Sequence, residues 1–434
     1  MKKWIALALA LLLLLGCSAC KKAEDKEVTI EVWHPRGAGA NGEMIAASVA
    51  EFNETIGAEK GITVVEVFQG GYGEVVTATM NAVAAGSSPE IVVVENSSGT
   101  PVLSGEGILA DLTPYIERDQ WDLDNVQSGL LAYCYHDGEL IAMPYIRSTP
   151  VMYYNKTATD ALGIEIPMND ALTIEEFEDL CKKLTVKNAD GTTGVYGFSL
   201  QSNTWYTQNF FYQLGSNMFD ETGKSCPALE DGAMLKVFTA WDQWVQDGWC
   251  QPFVSTNDEA YLEEQFSLGK IACIFDSTGK MGNIFGAVEE LGNPFEIGIA
   301  FLPSFGEPSC PTGGGNMAIV KENNSEAEIA AAWEFMKFLL TSEQDALNHV
   351  NTGYAPSTKA AADAKIVKDL WANEPYRQVG FNQLAYAQDA PASDYGAEWG
   401  VAFKSVISSL IQEGTVTPEE AVERLKGEAA SIFS

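Results

Sequence analysis

The chain has 434 residues, 46% of them apolar, and 60 acidic side chains against 26 basic ones leave a formal charge of −34. Length and apolar content suit two or more folded domains rather than a disordered tail. The acidic excess repels phosphate backbones, which excludes nucleic-acid binding on charge, and the surplus reads as solubility.

Lys2 and Lys3 precede an unbroken apolar run over residues 4–15, followed by Gly16 and Cys17. The run falls short of the roughly 20 apolar residues that a spanning helix needs, as a signal peptide does. Leu14-Leu15-Gly16-Cys17 resembles the bacterial lipobox, which implies a signal peptide over 1–16 and acylation of Cys17. Residues 17–27 then read as a lipidated tether holding the rest of the chain outside the cytoplasm, on a bacterial membrane surface. Cys17 and Cys20 also spell C-x-x-C, but no second pair supports a metal or redox site. Cys134, Cys181, Cys226, Cys250, Cys273 and Cys310 are widely scattered. An oxidising exterior permits disulfides among them, and no pairing is assigned.

VTIEVWH (28–34), ITVVEVFQ (62–69) and EIVVVEN (90–96) have the β-branched composition of strands. Helical apolar spacing over 41–55 and 72–85 separates them. Strands alternating with helices predict right-handed crossovers and an α/β fold built on parallel sheet. Ligands of such sheets sit beyond the carboxyl ends of the strands, so residues 34–36, 69–72 and 95–98 are expected along one edge. Farther on, Thr173 with Glu176 and Ser325 with Glu328 spell capping boxes, and Thr417-Pro418 opens a third helix. Residues 234–249 predict another helix, with Trp241 and Trp244 on its core stripe.

Gly37-Ala-Gly39-Ala-Asn-Gly42 satisfies G-x-G-x-x-G, with Glu66 as a candidate ribose ligand. In a dinucleotide site the first glycine follows the strand at once, whereas His34-Pro35-Arg36 intervene here, so a plain strand-to-helix loop is favoured. His34, His136 and His349 show no metal spacing and no triad signature. Glu95 and Asp276 form a carboxylate pair on paper, which keeps a secreted glycosidase as an alternative; with so many acids the coincidence is cheap. Aromatic and small polar residues concentrate at expected loop edges, among them Tyr72, Ser148, Trp205, Ser277 and Tyr354. A sugar suits this mixture, because its C–H faces stack on rings and its hydroxyls need donors and acceptors.

VTIEVWH, VFQGGYGEVV, PEIVVVE, GELIAMPYIRSTPVMYYNKTA, FSLGKIACIFDSTG, TGGGNMAIV and NTGYAPSTKAA occur in an order that resembles the carbohydrate-type extracellular solute-binding proteins of ABC importers. The nearest likeness is to the glycerol-3-phosphate-binding branch. That resemblance implies two α/β lobes, each a mostly parallel sheet flanked by helices, joined by a multi-segment hinge. The N-lobe is expected over 28–145 plus 304–345, and the C-lobe over 146–303 plus 346–434. It further implies ligand contacts from Tyr72, Glu95, Ser148, Trp205, Ser277 or Thr278, Gly314 and Tyr354. The partners it implies are a sugar-like solute and a membrane permease, for a monomer with no catalytic residue, no metal and no cofactor. The branch's cationic residue near the C-terminal loop has no counterpart in AYAQDAPASDY (385–395), which holds Asp389 and Asp394. A neutral sugar is therefore expected over glycerol 3-phosphate or a related polyol phosphate, with Arg147 as the candidate to compensate.

Overall fold

The computed structural model describes residues 27–131, 133–252, 259–388, 391, 393 and 395–434. The acylation expected at Cys17, and Asp389 and Asp394, lie outside these residues.

In chain order the principal strands are β1 (Val28–His34), β2 (Ile62–Phe68), β3 (Ile91–Glu95), β4 (Met143–Ser148) and β5 (Pro150–Asn155). They continue with β6 (Thr193–Ser199), β7 (Cys250–Gln251), β8 (Ile271–Ser277), β9 (Ile297–Ala300) and β10 (Gly313–Ile319). The principal helices are α1 (Ala40–Phe52), α2 (Tyr72–Ala85), α3 (Ile174–Leu184), α4 (Thr204–Gln213) and α5 (Ala233–Gln246). After them come α6 (Met281–Glu290), α7 (Glu326–Leu339), α8 (Ser342–Thr352), α9 (Gly396–Ile407) and α10 (Pro418–Ile432).

The strands build two sheets, ordered β2-β1-β3-β10-β4 and β7-β6-β8-β5-β9, and each anchors its own lobe. β1 runs parallel to β2, with Val28 opposite Ile62, and to β3, with Val32 opposite Ile91. β6 runs parallel to β7 and β8. The strands that carry the chain between sheets run antiparallel instead: β10 to β3 and β4, and β5 to β8 and β9. A parallel pair needs a crossover, usually a helix, between its strands. β4 passes into β5 through Thr149 alone, so that constraint does not act there.

Each lobe buries a separate core. In the first, Ile30 and Val32 of β1 meet Ile45, Val49 and Phe52 of α1, with the Phe52 ring edge-on to Phe335 of α7 at 5.0 Å. In the second, Phe177, Phe198 and Trp244 interlock edge to face. Trp241 and Trp244 are 2% and 0% exposed, so the predicted stripe on α5 faces the core. The capping boxes of α3, α7 and α10 all form, the side chains of Thr173, Ser325 and Thr417 each accepting from the backbone three residues on. The six cysteines beyond the tether are all buried.

α8 is tied to the first lobe through Gln344 and Asn348. Ser48 donates to Gln344 at 3.0 Å, and the Arg36 guanidinium donates to Asn348 at 2.6 Å. The lobe boundary expected at residue 345 therefore falls inside a helix that packs along α1.

Candidate functional site

A cavity of about 390 Å³ opens where the carboxyl ends of the two sheets face each other. The first lobe contributes Tyr72, at the start of α2, and Glu95, the last residue of β3. The second contributes Asn203 to Tyr206 at the start of α4, Asp276 and Ser277 at the end of β8, and Gly279 with Lys280 just beyond. Ser148 and Gly313–Gly314 come from the crossing strands, Tyr354 follows α8, and Lys404 projects from α9. Of the residues expected in the site, Tyr72, Glu95, Ser148, Trp205, Ser277, Gly314 and Tyr354 meet in this one cavity. Thr278 does not line it. Its hydroxyl accepts from the Thr149 backbone at 3.2 Å, and it is 2% exposed. Ser277 and Thr278 differ by one position at a strand end, where successive side chains point to opposite sides.

Glycines let the aromatic rings approach the backbone. A Cβ on Gly313 would lie 2.5 Å from the Trp205 ring, one on Gly315 3.0 Å from Tyr72, and one on Gly279 2.3 Å from Tyr354. Gly314 between them has φ +85°, and a Cβ there would lie 1.9 Å from the carbonyl oxygen of Ile146. The run Gly313-Gly314-Gly315 is thus a side-chain-free floor on which a ring from each lobe rests.

The polar groups have defined roles. Glu95 accepts from Ser98 and, at 3.3 Å, from Ser97. Asp276 accepts from the Tyr206 hydroxyl at 3.2 Å and from the Ser277 backbone at 2.6 Å. Burial pushes the Tyr72 phenol well above its usual value, with Tyr354 and Glu95 adding to the effect, and burial also raises Tyr354. Both rings therefore present neutral hydroxyls at physiological pH.

Arg147 does not fill the compensating role expected of it. Its guanidinium is fully buried, donating to Gly313 O at 3.0 Å, Leu130 O at 2.7 Å, Asn316 Oδ1 at 3.0 Å and Thr312 Oγ1 at 2.6 Å. It braces the crossing strands from the face of β4 opposite Ser148. The glycine loop also departs from a dinucleotide cradle. Asn41, at the start of α1, donates to Gly279 O of the other lobe at 3.1 Å, and Glu66 bonds His34 at 2.7 Å.

Behind Tyr354, His349 holds the loop. Its Nδ1 donates to Tyr354 O at 2.8 Å and its Nε2 accepts from the Trp371 indole at 2.9 Å, which fixes a neutral tautomer. Burial, reinforced by the nearby Arg377 charge, lowers this imidazole to about 4 against the hydrogen bond to Tyr354. A lowered folded pKa gives stability that is present above the unfolded value near 6.5 and lost as pH falls through 4. The difference is on the order of 3 kcal/mol. The wild-type advantage over His349→Gln in urea denaturation is therefore expected to narrow by up to that amount between pH 7 and pH 4. A gap that stays constant with pH would contradict the assignment.

A second chamber of about 170 Å³ shares Glu95, Thr204 and Trp205 with the first and adds Tyr133, Gln208, Ser393 and Trp399. Trp205 borders both chambers.

Comparison with known proteins gives this geometry a family. The sn-glycerol-3-phosphate-binding periplasmic protein UgpB of Rhizobium meliloti (strain 1021) is 27% identical over 363 residues, 82% of this chain and 81% of that protein. UgpB of Brucella melitensis biotype 1 is 27% identical over 391 residues, 87% and 85% of the two chains. Among solved structures, UgpB from Mycobacterium tuberculosis in complex with glycerophosphocholine superposes with a TM-score of 0.78 at 22% identity, covering 93% of this chain and 98% of that one. The GacH receptor of Streptomyces glaucescens, solved unliganded and with acarbose, gives 0.78 at 17% identity, covering 94% and 98%. At these identities the structural likeness establishes the fold, the two-lobed architecture of periplasmic sugar-binding proteins. The family profile described as bacterial extracellular solute-binding protein matches residues 47–375. The chain belongs to the bacterial extracellular solute-binding proteins.

Proposed function

We propose that this protein is the lipid-anchored, monomeric substrate-binding component of an ABC importer, capturing a sugar or oligosaccharide between its lobes and presenting it to the permease. The observation that carries this reading is the cavity itself: three aromatic side chains set against glycine backbone, ringed by hydroxyls and carboxylates from both lobes. In this reading Trp205 and Tyr354 supply stacking surface, while Tyr72, Glu95, Ser148 and Ser277 orient hydroxyls. The chamber beyond Trp205 gives room for a second ring. Ligand contacts made by both lobes favour the closed arrangement over the open one, since a ligand shifts an equilibrium by its differential affinity for the two states. The N-lobe would comprise the first sheet with α7 and α8, the C-lobe the second sheet with α9 and α10. Acylation at Cys17 would keep the body near its permease.

A second reading, a polyol phosphate, is favoured by the names of the relatives and disfavoured by the full commitment of Arg147. A thermal-shift panel of sugars, sugar phosphates and nicotinamide nucleotides separates them. One sugar class at a hundredfold excess over its Kd is expected to stabilise the fold by about 2.7 kcal/mol. Stabilisation by nucleotide alone, or turnover of a chromogenic glycoside abolished by Glu95→Gln, would overturn the proposal.

A further inference from the structure

The cations at or beneath the cleft differ in their surroundings. Arg147 directs its donors to backbone and neutral side-chain oxygens behind β4. Arg36 is buried between the Tyr145 and Tyr354 rings, 5.0 and 5.3 Å from their centroids, and does not line the cavity. Lys280 lines it with its ammonium 2.6 Å from Glu263, which offsets its charge. Lys404 also lines the cavity and is half-buried, yet it makes neither a hydrogen bond nor an ion pair with any described residue. In a chain with 60 acids and 26 bases, a carboxylate partner is the common fate of a lysine. A partly desolvated ammonium facing a binding cavity without one is a charge available to a bound molecule.

The helix that carries it strengthens the case. Gly396 and Trp399 of α9 line the second chamber and Lys404 the first, so α9 borders the cleft along its length. A ligand lying through both chambers would run beside this helix and reach Lys404 at the wider end.

We infer that Lys404 is a specificity-determining residue and that the ligand is a sugar bearing a single negatively charged substituent, a carboxylate or a phosphodiester, paired with its ammonium. This rests on the sugar-binding reading and narrows its substrate class. One charge is the number the site accommodates. Glu95 and Asp276 border the same cavity, so the second charge of a phosphate monoester would face like charge with no further unpaired cation among the lining residues.

Calorimetric titration of the full-length protein with matched glucose and maltose series tests this. Each series holds a neutral glycoside, a carboxylate, a methyl phosphodiester and a phosphate monoester. At least one monoanion is expected to bind tenfold or more tighter than both the neutral and the monoester members, and its arm identifies carboxylate or phosphodiester. Lys404→Gln should erase that preference, Lys404→Arg should retain it, and added salt should weaken it. A neutral member that binds as tightly as the monoanions and ignores Lys404→Gln overturns charge recognition while leaving sugar capture intact. A monoanion preference that survives Lys404→Gln removes this residue from the role. Failure of every member to bind defeats both this inference and the sugar reading beneath it.

Discussion

Replacing Trp205 with alanine is expected to weaken sugar binding tenfold or more, a loss of at least about 1.4 kcal/mol, without unfolding the protein. The side chain is half-buried at the start of α4, where the Asn203 side chain accepts from its backbone N–H at 2.9 Å and holds the helix start in place. Its ring lies against Gly313 and borders both chambers, so truncation removes the surface that a pyranose would stack on in either one. Because Asn203 and the core beneath α4 are untouched, the circular dichroism spectrum should be unchanged while the titration curve shifts. Trp205→Phe should recover part of the lost affinity. An unaltered Kd in Trp205→Ala would take the residue out of the site.

Gly314→Ala is expected to cost stability on a larger scale, about 4 kcal/mol. Two terms combine: left-handed backbone strain of about 1–2 kcal/mol and overpacking of about 1–3 kcal/mol. The overpacking is set by geometry, since the new Cβ would lie 1.9 Å from Ile146 O and 3.0 Å from Arg147 Cα, both backbone atoms of the paired strand. Relief requires β10 to move off β4, which also pulls on the bond from Arg147 to Gly313 O. Gly61→Ala is the control. It shares a positive φ, +68°, but nothing lies within 4 Å of the added carbon, so only the strain term should appear. Equal urea midpoints for the two variants would show that the close approach to Ile146 carries no cost.

Much of this arrangement was legible in the sequence, and the rest was hidden for identifiable reasons. The spans of β1 and α2, the capping boxes of α3 and α7, the start of α10 and the buried Trp241–Trp244 stripe follow from patterns a few residues long. Strand alternation alone separates Ser148 from Arg147: once one faces the cleft, its neighbour in β4 faces away. Applied strictly to the run from Met143 to Ser148, that rule is enough to remove Arg147 as an anion ligand. Seven of the ligand contacts implied by the family resemblance share one cavity because they sit at the carboxyl ends of strands or on the crossing segments. The antiparallel crossing strands depend on pairings far apart in sequence, such as Gly315 with Glu95, and the docking of α8 onto α1 on contacts such as Ser48 to Gln344 with a separation of 296. Lys404 was invisible for the same reason. Nothing local distinguishes it from a solvated lysine on an amphipathic helix, and only the packing of α9 beside the cleft brings it to the cavity.

The most direct test of a sugar-capturing cleft is native mass spectrometry of the full-length protein purified without exposure to added ligand. The expected spectrum contains a 1:1 adduct whose mass is that of a sugar or sugar derivative, present in the wild type and depleted in Trp205→Ala. An adduct with the mass of a nicotinamide nucleotide, or a sugar adduct retained undiminished by Trp205→Ala, would contradict sugar capture in this cleft.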